Sequence, residues 1–223
     1  MKRPSKTSRK SRVIASLLLC LLPIVIGLLL DPWLPDEIPV HFNFSGQADS
    51  WWPKLQVILV LPLILTFLDA VALWSTLRDS KKENLSCPVM NFLYWLIPGI
   101  ELVIMCVLYL FALDVPLKID RLIPSLVGLL LILLGNLLPK AKQNSVFGIR
   151  TSWSMEDPEN WIQSNRFGSR VLILAGLAGI LISLFVRNQT LAIVLPLVLY
   201  SISSILPVYY SWRFARKKNA DTG

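Results

Sequence analysis

The sequence is poor in the residues that do chemistry. It holds one histidine, three cysteines and 16% charged residues in a chain of 223. His41 cannot build a metal cluster by itself. Cys20, Cys87 and Cys106 lie in or beside apolar runs without a CxxC spacing, which argues against a disulfide or zinc framework. HExxH, a Walker loop, a Gly-rich dinucleotide fingerprint and a nucleophile–base pair are all missing. No catalytic residue, metal or cofactor is therefore expected, and the chain is not read as an enzyme.

What the chain has instead is apolar length. Hydrophobic residues make up 54% and the mean hydropathy is +0.60, the composition of an integral membrane protein. A length of 223 residues suits one helical bundle and leaves no room for a second soluble domain. The net charge of +8 would point to nucleic acid in a soluble protein. Here the basic residues flank apolar spans, so no direct nucleic-acid binding is expected.

Six runs reach or approach the length that crosses about 30 Å of hydrocarbon: residues 13–30, 55–74, 89–111, 122–138, 171–186 and 190–212. The first follows six basic residues in MKRPSKTSRKSR. It is longer than a signal-peptide core and lacks a small-x-small cleavage site, so it reads as a membrane span. Of the 22 Lys and Arg residues, only Lys54, Lys118, Arg121 and Arg187 fall on the side opposite the termini. That asymmetry predicts an all-α bundle of six spans with both termini cytoplasmic. Residues 31–54 then form an ordered extracytoplasmic loop, and residues 139–170 a long cytoplasmic one.

The outer loop reads DPWLPDEIPVHFNFSGQADSWWPK. Ile38, Val40, Phe42 and Phe44 alternate with Pro39, His41 and Asn43, which is strand periodicity, and Ser45 to Asp49 reads as a turn. Trp33, Trp51 and Trp52 bracket it like an interfacial belt. His41 and Asn43 either face a ligand or pin the turn at Asp49. Four acids against Lys54 make the loop acidic, which either attracts a cationic partner or reflects only the depletion of Lys and Arg from outer loops.

Two acids fall inside spans. Glu101 follows Pro98-Gly99 near the middle of the third span, where the proline frees a carbonyl. An intramembrane carboxylate beside a helix break is either a functional site or a hydrogen-bonded packing element. Asp69 is read as pairing with a cytoplasmic Arg or Lys. Ala175 and Gly179 form a small-xxx-small pair suited to close helix packing.

The inner loop is the longest polar passage and carries two tryptophans, Trp153 and Trp161, which argues for order. Asp157-Pro158-Glu159 is an N-cap, a first-turn proline and a first-turn acid. A helix from about residue 158 to 167 would place Trp161 and Asn165 on one face, with Ile162 and Arg166 on the next. It either lies at the interface or leads directly into the fifth span. Gly148-Ile149-Arg150-Thr151 reads as a tight turn presenting Arg150, whose partner is Asp157, Glu159 or a lipid phosphate, unless it only sets topology.

The loop segments GNLLPK, QNSVFGIRT, Trp153 and ENWIQSNRFG resemble the signature of the SdpI family, the membrane immunity proteins of the sporulation-delaying peptide toxin system. The matched positions are Asn136, Lys140, Asn144, Gly148, Arg150 and Thr151, followed by Trp153, Trp161, Asn165 and Arg166. The outer loop resembles a DUF1648 module through Pro39, His41, Gly46 and Asp49, with Asn43 beside them. Ser152, Ser154 and Ser169 depart from the family's usual Pro, Thr and Gly, which predicts a looser turn after Arg150.

The resemblance implies a basic tail over residues 1–12, a DUF1648-like module over 13–88, an SdpI-like module over 89–212 and a second tail over 213–223. It implies a bacterial cell-membrane protein that confers resistance to a secreted peptide toxin. It also implies a receptor role, holding a cytoplasmic winged-helix repressor at the membrane. The outer-loop residues would meet the toxin and the inner-loop residues the partner. The competing reading is a small-molecule or proton-coupled transporter built around Glu101.

Overall fold

The computed structural model describes residues 6–222, so residues 1–5 of the basic tail lie outside the described residues. Among the described residues, six helices are long and apolar enough to cross a membrane, as the runs predict. They are α1 (Lys6–Leu30), α2 (Leu61–Arg78), α3 (Cys87–Ala112), α4 (Ile119–Leu137), α6 (Pro158–Phe185) and α7 (Gln189–Thr222). A short helix, α5 (Ser152–Glu156), stands in the inner loop. The protein is a multi-pass membrane protein of predominantly helical fold.

Most helices outrun the apolar runs that announce them. α1 begins inside the basic tail, and α7 continues ten residues past Trp212 through RFARKKNADT. Lys, Arg and Ala are good helix formers, and long cationic side chains keep their heads in water beyond the hydrocarbon edge. At the start of α2, residues Gln56–Val60 form a π-helical turn. Pro62 cannot donate to the carbonyl four residues back, and the turn ahead of it widens.

The chain divides into two units. The first comprises the described residues up to Asn43 together with Gln47–Arg78 and Met90–Leu117. It holds α1, α2, most of α3 and a two-stranded antiparallel sheet of β1 (Glu37–Phe42) and β2 (Ala48–Pro53). Ile38 is fully buried and packs with Leu34, Val57, Ile58, Met105, Leu108 and Tyr109, so the strand's apolar face seals the end of this unit. Tyr109 donates its hydroxyl to the Pro23 carbonyl at 3.0 Å, and a Cβ at Gly27 would strike the Tyr109 ring oxygen. That close approach is what requires glycine there.

The expected alternation of the outer loop holds only in part, since Pro39 is buried like Ile38, and it ends at Phe42. Phe44 lies beyond the strand and is 62% exposed, because the chain has already turned at that point. The tryptophan end of the loop, read as an interfacial belt, is the second strand, with Pro39 opposite Trp51 and Ile38 opposite Trp52. The register shifts between Pro39 and His41 and again before Phe42. Proline lacks the ladder donor and is tolerated at such an irregularity.

The second unit comprises Phe44–Gly46, Asp79–Val89 and the described chain from Lys118 onward, and α4, α6 and α7 pack in it. Small residues set the spacing: a Cβ on Gly176 would lie 2.5 Å from the Gly128 carbonyl oxygen, and one on Gly135 would lie 2.9 Å from that of Ser169. Ala175 is 5% exposed, and a Cβ on Gly179 would meet the Tyr200 hydroxyl, which itself donates to the Pro124 carbonyl at 2.9 Å. The small-xxx-small pair serves close packing, as expected.

Candidate functional site

The inner loop is an ordered structure built by its own polar side chains. Asn144 is fully buried and uses all four of its hydrogen-bonding positions. Its Nδ2 donates to the carbonyls of Lys142 at 2.7 Å and Phe147 at 3.0 Å, and its Oδ1 accepts from the amides of Val146 and Phe147 at 2.8 Å each. That closes the turn ahead of Gly148. Gly148 has φ +134°, and a Cβ there would stand 2.7 Å from the Trp161 ring and 2.9 Å from Asn165 Oδ1. The chain therefore crosses directly over helix α6.

The helix expected from residue 158 leads directly into the fifth span as the continuous α6, capped by the Asp157 side chain accepting from the Glu159 amide at 2.9 Å. Trp161 (2% exposed) and Asn165 (1%) share one face, as the spacing predicts, and that face turns inward, while Ile162 is 48% exposed. Trp161 Nε1 donates to the Ala141 carbonyl at 2.9 Å, and Asn165 Oδ1 accepts from the Ile149 amide at 3.0 Å. One helix face thus receives both arms of the loop.

The turn after Arg150 is closed, contrary to the looseness expected from Ser152 and Ser154. Thr151 Oγ1 accepts from the Ser154 amide at 3.1 Å, and Ser154 Oγ accepts from the Thr151 amide at 3.0 Å, a reciprocal cap on α5. Ser154 is fully buried and also donates to the Ile149 carbonyl at 2.7 Å. Serine is small enough to sit inside this turn and still cap it.

Residues that the sequence reading did not single out tie the loop to its neighbours. Thr151 Oγ1 lies 2.6 Å from Ser211 Oγ on α7, and Ser211 Oγ donates to Asn160 Oδ1 at 2.8 Å. Asn160 Nδ2 returns a bond to the Ser211 carbonyl at 2.9 Å. Gln143 Nε2 donates to the carbonyls of Ser154 at 2.9 Å and Met155 at 2.8 Å. Nothing in the apolar pattern of the sixth run marks Ser211 as a loop partner, because its contacts are 51 and 60 residues away in sequence.

Arg150 is exposed, and its Nη1 donates to the Ser145 carbonyl. Neither expected protein partner is engaged with it. Lys218 Nζ holds Asp157 Oδ2 at 2.9 Å and Glu159 Oε2 at 3.2 Å. The α7 extension brings this lysine to the start of α6, and the hydrogen bond it donates holds the Asp157 carboxyl below the ordinary carboxylate pKa.

The signature accordingly splits in two. Asn144, Gly148, Thr151, Trp161 and Asn165 build the loop, whereas Lys140, Arg150, Trp153 and Arg166 stand exposed on it and Asn136 on the last turn of α4. The structure brings the first five together and leaves the second five at the surface.

In the outer loop, His41 Nδ1 lies 2.5 Å from Asp49 Oδ1 across the hairpin. Asn43 pairs with Gln47 through its amide at 2.8 Å and its Oδ1 at 3.1 Å, and Gly46 takes φ +73° in the turn between them. These residues pin the turn, the second of the two roles expected for them. His41 and Asp49 both remain exposed.

In the first unit a polar seam crosses the bundle. Ser16 Oγ lies 2.5 Å from Asp69 Oδ2 and 2.8 Å from the Tyr94 carbonyl, the group that Pro98 leaves without its helical donor. Asp69 is fully buried, and the partner it takes is a serine of α1 in place of the expected Arg or Lys. Glu101 is also fully buried, and neither carboxyl oxygen has a hydrogen-bond partner among the described residues, although the Cys20 thiol lies beside it.

Comparison with known proteins agrees with both loops. The model of the SdpI/YfhL protein family matches residues 140–211, and the DUF1648 model, a domain of unknown function, matches residues 18–66. The chain is 27% identical over 214 residues to "Immunity protein SdpI" of Bacillus subtilis (strain 168), covering 94% of this chain and 98% of that one. No solved structure matches.

Proposed function

We propose that this multi-pass membrane protein, which carries SdpI/YfhL and DUF1648 modules, is an immunity protein that protects its cell from a secreted antimicrobial peptide. The observation that carries the reading is the division of labour in the inner loop, where buried signature residues make a rigid frame for exposed Lys140, Arg150, Trp153 and Arg166. A loop needed only to connect two helices gains nothing from a buried asparagine with four hydrogen bonds. The similarity to an immunity protein along nearly the whole chain supports the same conclusion. In this proposal the module boundary falls at residue 88, the outer loop meets the peptide through Pro39, His41, Asn43, Gly46 and Asp49, and the action is non-enzymatic. The inner loop offers its exposed residues to a cytoplasmic partner, a winged-helix repressor, and so joins protection to signalling.

The test is a sensitive host expressing the chain and challenged with the secreted sporulation-delaying peptide. Survival is expected with the wild type and a clear loss of it with His41→Ala/Asp49→Ala at equal membrane abundance. Arg150→Lys keeps the charge but loses the planar fork, so reduced repressor retention at the membrane is expected with protein level unchanged. Survival identical to the empty host would overturn the immunity reading.

A second reading, small-molecule or proton-coupled transport, is favoured by one observation, the fully buried carboxyl of Glu101 beside the Cys20 thiol. Glu101→Gln separates the two. A receptor tolerates it, whereas a carrier that loads a proton or cation there loses transport in vesicles.

A further inference from the structure

Below the loop, at the basic end of α4 and α6, a groove of about 460 Å³ opens between the 3₁₀ turn Leu138–Lys140 and the first turns of α6. Three cations line it: Lys140, Lys142 and Arg166. All three are exposed, and no ion pair or hydrogen bond holds their charged side-chain groups among the described residues. Two acids at the start of α6, Asp157 and Glu159, are engaged by Lys218. The floor is apolar, made by Leu138 and the Trp161 ring. Unpaired charge of one sign around an apolar floor is a site for an amphipathic anion.

The helix faces identify the anion. Along α6, Ile162, Arg166, Arg170, Leu174, Leu177 and Leu181 recur at helical spacing on one side. Each is exposed, Leu174 to 66% and Leu181 to 55%. On α4 the matching stripe runs from Leu129 (48% exposed) and Leu133 (45%) through Asn136 to Lys140. In a bilayer these leucines face acyl chains. Arg166 lies five residues before Val171, where the uncharged span begins, roughly 8 Å at 1.5 Å per residue. That is headgroup depth. The cations of the groove and the leucines of the bilayer are thus two ends of one continuous surface.

We infer that this groove is a binding site for the headgroup of an anionic phospholipid, with the phosphodiester held by Lys140, Lys142 and Arg166 and the acyl chains lying along the α4 and α6 leucines. A bound lipid would buttress the signature loop from the membrane side, because Trp161 and the 3₁₀ turn Leu138–Lys140 form its wall. With Lys140 and Arg166 on lipid, Arg150 and Trp153 are the residues left for a cytoplasmic partner; the lipid site does not depend on the immunity reading, and either can fail alone.

The test uses the full-length protein reconstituted in vesicles of equal phosphatidylglycerol and phosphatidylcholine, extracted gently and weighed by native mass spectrometry. Preferential retention of phosphatidylglycerol is expected. Lys140→Gln/Lys142→Gln/Arg166→Gln should lower it by about fivefold per cation removed, the scale of one basic residue at an anionic surface. Arg213→Gln/Arg216→Gln/Lys217→Gln removes the same charge from the α7 tail and should leave retention unchanged. Should the triple variant fail to fold, the single Lys140→Gln and Arg166→Gln changes, at exposed and unpartnered residues, give the same reading. Equal loss in the groove and tail variants, or no lipid preference, overturns the assignment. So does inorganic phosphate or an oligo-glutamate peptide displacing the lipid, since the site would then serve a soluble anion or an acidic protein segment.

Discussion

Gly148 shows what a single residue contributes to the site. Its φ of +134° is open to glycine alone in practice, and the approach to Trp161 leaves no space for a side chain. Gly148→Ala is therefore expected to destabilise the loop by about 1–3 kcal/mol, read as faster limited proteolysis between α4 and α6. Gly99→Ala is the control, because a Cβ there meets nothing within 4 Å inside a helix. It should be neutral, or stabilising by roughly 0.5–1 kcal/mol. Equal effects at the two glycines would remove the steric argument. The sequence marks both as glycine, and only the contact with Trp161 tells them apart.

At the scale of elements, α7 does more than cross the membrane. Its extension carries Ser211 and Lys218 to the inner loop and to the start of α6. Ser211→Ala removes bonds to Thr151 and Asn160 and leaves buried polar groups behind, a cost of about 1–3 kcal/mol. A lowered midpoint of thermal unfolding in detergent is the expected result, and an unchanged one would show the network to be dispensable. The Lys218 contact predicts a pH dependence with a definite sign. The Asp157 carboxyl has a folded pKa below its unfolded value. Its contribution is therefore present in full above the unfolded value of about 3.9 and is lost as pH falls through the lower folded one. A probe on Asn219 should become mobile only below about pH 4, and release between about pH 5 and 8 would contradict the contact. Lys218→Gln should abolish the transition.

For the molecule as a whole, the testable quantity is topology. Only Lys54, Lys118, Arg121 and Arg187 stand apart from the other basic residues, so residues 31–54 are expected outside and the 139–157 segment inside. With the native cysteines replaced, Gln47→Cys should react with an impermeant reagent in intact cells and Ser145→Cys should react only after lysis. Both positions are exposed on their loops. Labelling in the opposite sense would invert the arrangement and place the phospholipid groove in the outer leaflet.

The number of spans, their order and the charge asymmetry were legible in the amino acids alone, because hydropathy and helix length are local quantities that a bilayer reads residue by residue. Local caps were legible as well: Asp157-Pro158 starts α6 where its residue types predict. What the tertiary structure decided are the pairings. Arg150 reaches the Ser145 carbonyl, Asp69 reaches Ser16, and Asp157 with Glu159 reaches Lys218. The first follows from how the loop folds back on itself and the others from which helix packs against which, and polar groups in an apolar bundle take whatever donor or acceptor that packing brings near. The hairpin shows the same limit, since β2 gains its strand from pairing with β1 and not from any alternation of its own.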